Sequence, residues 1–223
     1  MDFNDAAPEA AFRAEARAWL AAHAPAHELP RGSTLPDAEE AARCRAWQRT
    51  LNEGGWAGLT FPKALGGRGV SGIEAVIFAE EEAKFHLPKG PFISIGTNMA
   101  LPVIAKHGTD DQRARFIART LAGDLTWCQL FSEPSAGSDL AALRTKAVQA
   151  DDGSGDWIVN GQKVWSSWAH LTDWGILVVR TDPTLPKHKG LSFFVVDMKT
   201  PGIETRPIRQ ISGMSEFNET FLT

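Results

Sequence analysis

The sequence predicts an α+β chain: an N-terminal all-helical domain over residues 1–124, then a mostly antiparallel β-barrel-like domain over residues 125–223. Three observations carry that prediction. Apolar residues recur with a helical period as far as Leu121, the period falls to two after Gly123, and turn-forming clusters then separate short runs rich in Val, Ile, Trp and Phe.

In the first half, Phe12, Ala16, Trp19, Leu20 and His23 share one face of a helix. A second helix is expected from Asp37, with Glu40 completing a capping box. It carries Ala41, Cys44, Trp47 and Leu51 on one side until Gly54-Gly55 ends it. The third runs over about 73–85 and the fourth over 98–107, stopped by Gly108. Thr109 caps the last, with Gln112 at the matching position and Phe116, Ile117 and Leu121 facing inward.

In the second half, 125–131, 143–150 and 156–159 alternate as strands. Asn160-Gly161 predicts a two-residue hairpin turn joining Trp157-Ile158-Val159 to Lys163-Val164-Trp165. Segments 174–181 and 191–198 are almost continuously apolar, the pattern of strands buried on both faces, and 202–210 and 217–222 complete the sheet.

Composition narrows the class. A chain that is 43% hydrophobic and 22% charged is too apolar for disorder, and a net charge of −4 gives no general attraction for nucleic acid or anionic lipid. The clusters Arg43, Arg45, Arg49 and Arg113, Arg115, Arg119 fall in helical segments and read as solvated faces. Cys44 and Cys128 belong to no Cys-x-x-Cys or Cys/His group, so no metal site or disulfide framework is expected, and unpaired thiols fit a reducing compartment. No basic stretch leads into an apolar run at the start, and no apolar run nears the ~20 residues of a membrane span. A cytoplasmic location is the expectation. Gly67-Arg68-Gly69-Val70-Ser71-Gly72 matches a dinucleotide-binding pattern, but Pro62-Lys63-Ala64-Leu65 precedes it where a strand is required. These glycines are expected to build an inter-helix loop.

The chemistry concentrates in Phe131-Ser132-Glu133-Pro134-Ser135-Ala136-Gly137-Ser138-Asp139, where turn formers, hydroxyls and two carboxylates follow a strand. Small side chains there let a flat or phosphorylated ligand approach main-chain amides. With its preceding residues, Trp127-Cys128-Gln129-Leu130, the run resembles the flavin-binding motif of acyl-CoA dehydrogenases. Asn160-Gly161-Gln162-Lys163-Val164-Trp165-Ser166-Ser167 resembles that family's second flavin motif. Residues 56–72 and 190–196 resemble its early inter-helix loop and later barrel strands.

The resemblance implies FAD as cofactor and α,β-dehydrogenation of an acyl-CoA thioester to a trans-2-enoyl-CoA, with hydride passing to flavin N5. It implies main-chain contacts from Gln129, Leu130 and Phe131 to the isoalloxazine ring, and a hydroxyl from Ser132 at the pyrimidine edge. Gly137 and Ser138 would serve the cofactor loop, with Ser138 at the pyrophosphate or the substrate pantetheine. Trp165 would pack beside the ring, Ser166 would offer its backbone, and Ser167 would stand near N5. Ser166 departs from the apolar residue common in the family, and Trp168-Ala169-His170 departs from its small-residue continuation, which bears on the rim of the site. Glu133 and Asp139 are expected to be structural, Lys187-His188-Lys189 to be a solvated turn rather than a CoA-phosphate site, and no catalytic or metal-binding residue is assigned.

The family's base is a glutamate on a C-terminal helical domain, expected beyond Thr223, so this chain alone is expected not to turn over. The implied partners are an acyl-CoA, an electron-transfer flavoprotein and further subunits in a homo- or hetero-tetramer. An oxygen-using relative of the acyl-CoA oxidase or nitroalkane oxidase type, or a non-catalytic flavin- or acyl-CoA-binding subunit, stays open as an alternative.

Overall fold

The computed structural model describes residues 4–32, 35 and 37–223. They form two compact units that divide between Asp124 and Leu125.

The first unit is helical. α1 (Ala7–His23) buries Phe12, Ala16 and Leu20, the predicted stripe, while exposed His23 stacks on Trp19 at 4.6 Å. α2 (Asp37–Glu53) buries Cys44, Trp47, Gln48 and Leu51. Asp37 is already its first helical residue rather than its cap, and the position before it lies outside the described residues. α3 (Gly72–Glu82) carries a cap not anticipated from the sequence: the Ser71 hydroxyl accepts from Glu74 N at 3.2 Å, and the Glu74 carboxylate accepts from Ser71 N at 2.7 Å.

The fourth helical run starts earlier than expected. It comprises α4 (Pro91–Ile95), a π-helical segment (Gly96–Ala100) and α5 (Leu101–His107). Pro91 sits in the first turn, where a missing N–H costs nothing, and the wider turn ahead of Pro102 accommodates a residue that can neither donate nor pack tightly against the preceding turn. α6 (Asp110–Leu121) has the predicted Thr109–Gln112 capping box and buries Phe116, Ile117 and Leu121. The dinucleotide-like glycines do form a loop, between residues 65 and 72. A Cβ on Gly67 would lie 2.2 Å from the Phe61 carbonyl oxygen, and Gly69 has φ +66°.

The core of this unit gathers Phe12, Leu20, Trp47, Trp56, Phe78 and Leu121, with Trp56 stacked on Phe78 at 4.8 Å. Glu81 of α3 lies at its edge, 1% exposed. Its carboxylate binds Arg17 at 3.0 Å, Arg13 at 3.1 Å and Lys84 at 2.5 Å, tying α1 to α3.

The second unit is a curled seven-stranded sheet. Its strands are β1 (Trp127–Leu130), β2 (Lys146–Gln149), β3 (Trp157–Ser167), β4 (Trp174–Arg180), β5 (Leu191–Asp197), β6 (Ile203–Ile208) and β7 (Phe217–Leu222). The pairings β2–β3, β3–β7, β4–β5 and β6–β7 are antiparallel, whereas β4 runs parallel to β1 and, at Lys146–Arg180, to β2. The result is mixed but mostly antiparallel. β5 is not buried on both faces as its apolar run suggested. It pairs with β4 alone, and Phe193 is 36% exposed.

Asn160-Gly161 makes no hairpin. Residues 157–167 form one continuous strand, with Asn160 paired to Lys146 of β2 and Gly161 paired to Leu222 of β7. The local turn preference loses to pairing with two different partners along one strand. The glycine is needed for close approach: a Cβ there would stand 2.3 Å from Thr145 Oγ1 and 2.7 Å from Thr145 Cα. Gly161→Ala is therefore expected to cost about 1–3 kcal/mol in urea unfolding. A double-mutant cycle with Thr145→Gly is expected to show coupling, which a hairpin turn remote from Thr145 would not.

Candidate functional site

The first motif leaves β1 at Leu130, whose side chain is fully buried and so has only its main chain to offer a ligand. Gln129, Phe131 and Ser132 are half-buried, and Phe131 meets Phe193 edge-on at 6.5 Å. The chain then turns tightly. Glu133 N donates to Ala136 O at 2.9 Å and Ala136 N to Glu133 O at 3.1 Å, with Pro134 fixing the turn between them. Gly137, Ser138 and Asp139 follow on an exposed loop, where space for a Cβ on Gly137 is open. Asp139 pairs at the surface with Lys187, at 2.7 Å.

Glu133 closes the base of this loop. It is buried, and its carboxylate accepts from Arg144 N at 2.7 Å, Thr145 N at 2.8 Å and Lys163 Nζ at 2.9 Å. Burial pushes its pKa up, but donors from Thr145, Arg144 and Lys163 outweigh it and hold the carboxyl below the ordinary range. A carboxylate so satisfied is a poor base. Its contacts tie the loop to the segment before β2 and to β3.

Lys163 is the residue that sequence reading missed. Its side chain is 0% exposed, and its ammonium donates to Phe131 O at 3.1 Å, Val178 O at 2.8 Å and Glu133 Oε1 at 2.9 Å. Three donors meet three acceptors. Burial lowers its pKa from the usual lysine value, with the Glu133 carboxylate opposing. One residue on, Val164 N donates to Ser132 O at 2.9 Å. The two motifs are thus bonded to each other through adjacent residues of β3, within one sheet rather than across a hairpin. A signal was present: Val159, Gly161 and Lys163 share one face of a strand, and Val159 packs on the core.

Beyond Lys163 the pairing register of β3 with β7 shifts, and Trp165 adopts φ +61°. Such a backbone is unusual for a bulky residue and, at a bulge, re-aims the side chain. Trp165 is 59% exposed, with Phe217 edge-on at 6.0 Å. Ser166 is turned inward, 0% exposed, and its hydroxyl has no partner among the described residues. Its carbonyl accepts from Asn218 Nδ2 at 2.8 Å, and Asn218 Oδ1 lies 2.8 Å from His170 Nδ1. Ser167 is half-buried opposite Phe217. The departing triplet is ordered as well: Trp168 has φ +54° and stacks on His170 at 6.1 Å.

Other chemistries find little support. Burial pushes both Cys44 and Cys128 up to about 12, so neither is a thiolate nucleophile. Among the described residues no group of His, Cys, Asp and Glu is placed to hold a metal, and no helix is long and apolar enough to cross a membrane. Lys187-His188-Lys189 forms a short exposed helical turn.

A family model for the N-terminal domain of acyl-CoA dehydrogenases matches residues 7–124, and one for the middle domain matches residues 128–222. The acyl-CoA dehydrogenase FadE34 of Mycobacterium tuberculosis is 54% identical over 156 residues, covering 70% of this chain and 21% of that protein. IpdE1 of Mycolicibacterium smegmatis, also an acyl-CoA dehydrogenase, is 40% identical over 220 residues, 94% of this chain and 56% of that one. Among solved structures, the ChsE4–ChsE5 complex from Mycobacterium tuberculosis superposes with TM-score 0.80 at 32% identity, over 100% of this chain and 55% of the matched one. Tcur3481-Tcur3483, named a steroid ACAD, gives 0.78 at 31% identity, over 100% of this chain and 56% of its own. The chain thus spans between a fifth and a little over half of the relatives it matches. With both models placed in order along a helical unit and a curled sheet that carries the two bonded motifs, the chain belongs to the acyl-CoA dehydrogenase family.

Proposed function

We propose that the protein containing this chain is an FAD-dependent acyl-CoA dehydrogenase, and that unit 2 supplies the flavin-contacting edge of its site. The observation that carries the reading is the direct bonding of the two motifs, through Lys163 Nζ to Phe131 O and Val164 N to Ser132 O. The residues fit such a cofactor. A flat aromatic face stands exposed at Trp165, the Ser132 N–H donates to no other described residue, and the Gly137-Ser138 loop is open to main-chain approach.

When bound, FAD supplies the acceptor for the β-hydrogen of the substrate. The Ser132 hydroxyl and N–H would donate to its polar edge, and Trp165 would cover the ring and exclude water. Ser167 offers a hydroxyl, and Ser138 donates to a phosphate or to the substrate pantetheine. Gln129, Leu130, Phe131, Gly137 and Ser166 contribute backbone. Glu133 is given no proton-transfer role, because its carboxylate is already satisfied by Lys163 and two backbone amides. The neighbour named as the ChsE4–ChsE5 complex favours assembly with a second subunit. An electron-transfer flavoprotein is the proposed acceptor, and two unpaired buried thiols favour a reducing, cytoplasmic setting.

Anaerobic addition of acyl-CoAs to the full-length protein tests the reading. Bleaching of the visible flavin band by at least one acyl-CoA is expected, whereas a band unchanged by straight-chain, branched and steroid-derived thioesters contradicts it. Rapid reoxidation in air would move the assignment to an oxidase. Ser132→Ala is expected to weaken FAD binding about 3- to 10-fold, the worth of one hydrogen bond, with little change in the melting temperature of the apoprotein.

A further inference from the structure

We propose that Lys163 is a positioning residue for the cofactor: by holding the Phe131 carbonyl it aims the adjoining Ser132 N–H outward. The inference rests on the flavin reading above and assigns to this site a residue that touches neither cofactor nor substrate.

Four observations meet here. The Lys163 ammonium is wholly buried in the sheet unit, and all three of its protons are used, on Phe131 O, Val178 O and Glu133 Oε1. A peptide group is planar and trans, so fixing the carbonyl of Phe131 fixes the N–H of Ser132 in the opposite direction. The next carbonyl, that of Ser132, is fixed in turn by Val164 N at 2.9 Å. Ser132 therefore has its preceding and following peptide planes both locked to β3, while its own N–H donates to no other described residue. A buried polar backbone group normally finds a partner, and a half-buried one left open between two locked planes is preorganised for an incoming acceptor.

The contact to Val178 extends the lock to β4, so two strands and the loop after β1 converge on one ammonium. A buried ammonium needs an acceptor for each of its protons, and here one of those acceptors is the carbonyl whose peptide carries the Ser132 N–H. A neutral amine at the same point still carries protons for both carbonyls. The positioning role therefore depends on the presence of the lysine nitrogen more than on its charge.

The test titrates FAD into the full-length apoprotein and reads affinity from flavin fluorescence and ring environment from visible circular dichroism. Wild type, Glu133→Gln and the double variant Lys163→Met/Glu133→Gln are compared. Glu133→Gln, which retains the lysine nitrogen, is expected to bind within about threefold of wild type. The double variant, which has no buried charge to leave unpaired, is expected to fold but to bind at least tenfold more weakly with an altered dichroic band. A double variant that binds FAD as wild type does, with the same band, overturns the proposal. Should it not fold, Glu133→Gln alone decides: a tenfold loss there shows that the ion pair matters rather than the lysine nitrogen, and overturns it too. A folded wild-type protein that takes up no FAD would instead bring down the flavin reading, and this inference with it.

Discussion

Lys163→Met alone is expected to cost about 3–5 kcal/mol in urea unfolding of the full-length protein at neutral pH, because it leaves the Glu133 carboxylate buried without its counter-charge. Glu133 keeps two amide donors in that variant, from Arg144 and Thr145, and these do not neutralise it. The sign of the pH dependence follows. In wild type the Glu133 pKa is depressed, so its contribution is present above the unfolded carboxyl value and fades as pH falls through the folded one. In the variant the donors from Thr145 and Arg144 remain and only the lysine's contribution is lost, so the carboxyl rises from its wild-type value and the penalty grows as pH rises through the carboxyl range. The gap between the two proteins should therefore narrow in acid. A gap below about 1 kcal/mol at neutral pH would mean that Glu133 is not charged in the folded protein.

Glu81→Gln is the second large effect, in the helical unit. Arg17, Lys84 and Arg13 oppose burial and hold the Glu81 carboxyl down to about 2. Set against an unfolded value near 4.3, that depression corresponds to about 3 kcal/mol at neutral pH. Because the folded pKa is the lower one, this stability is fully present above about pH 5 and is lost as pH falls toward 2. Melting curves of wild type and variant should differ most at neutral pH and converge near pH 2. Parallel curves at all pH values would show that the three cations stabilise α1 against α3 by packing alone.

What could be read from the sequence follows from how local each signal is. Thr109–Gln112 and the stripe Phe12, Ala16, Leu20 depend on neighbours within a few turns, and they appear where the pattern places them. The start at Pro91 did not, because proline and glycine around it suggest a loop when the permissive first turn and the π-helical segment are not considered. Asn160-Gly161 shows the opposite failure. It is a strong local turn signal, overridden because the strand must pass from β2 to β7 and needs a residue without a Cβ opposite Thr145. At the site, the hydroxyls and tryptophan stand out through their motifs, and Glu133 reads as structural because a loop carboxylate more often caps amides or pairs with a cation. Lys163 stayed hidden because a lysine is read as solvated by default. Only the pairing of β3 shows that its nitrogen lies in the interior.

On the proposed reading, the Phe131-Ser132 peptide and the Trp165–Ser167 segment form one flavin-binding surface. Titration of FAD into the full-length apoprotein, followed by tryptophan fluorescence in wild type and in Trp165→Phe, tests it most directly. Stoichiometric FAD uptake is expected from both proteins, with a smaller share of the fluorescence quenched in Trp165→Phe because its indole is gone. A folded wild-type protein that binds no FAD, or a fractional quench that does not depend on Trp165, would contradict it.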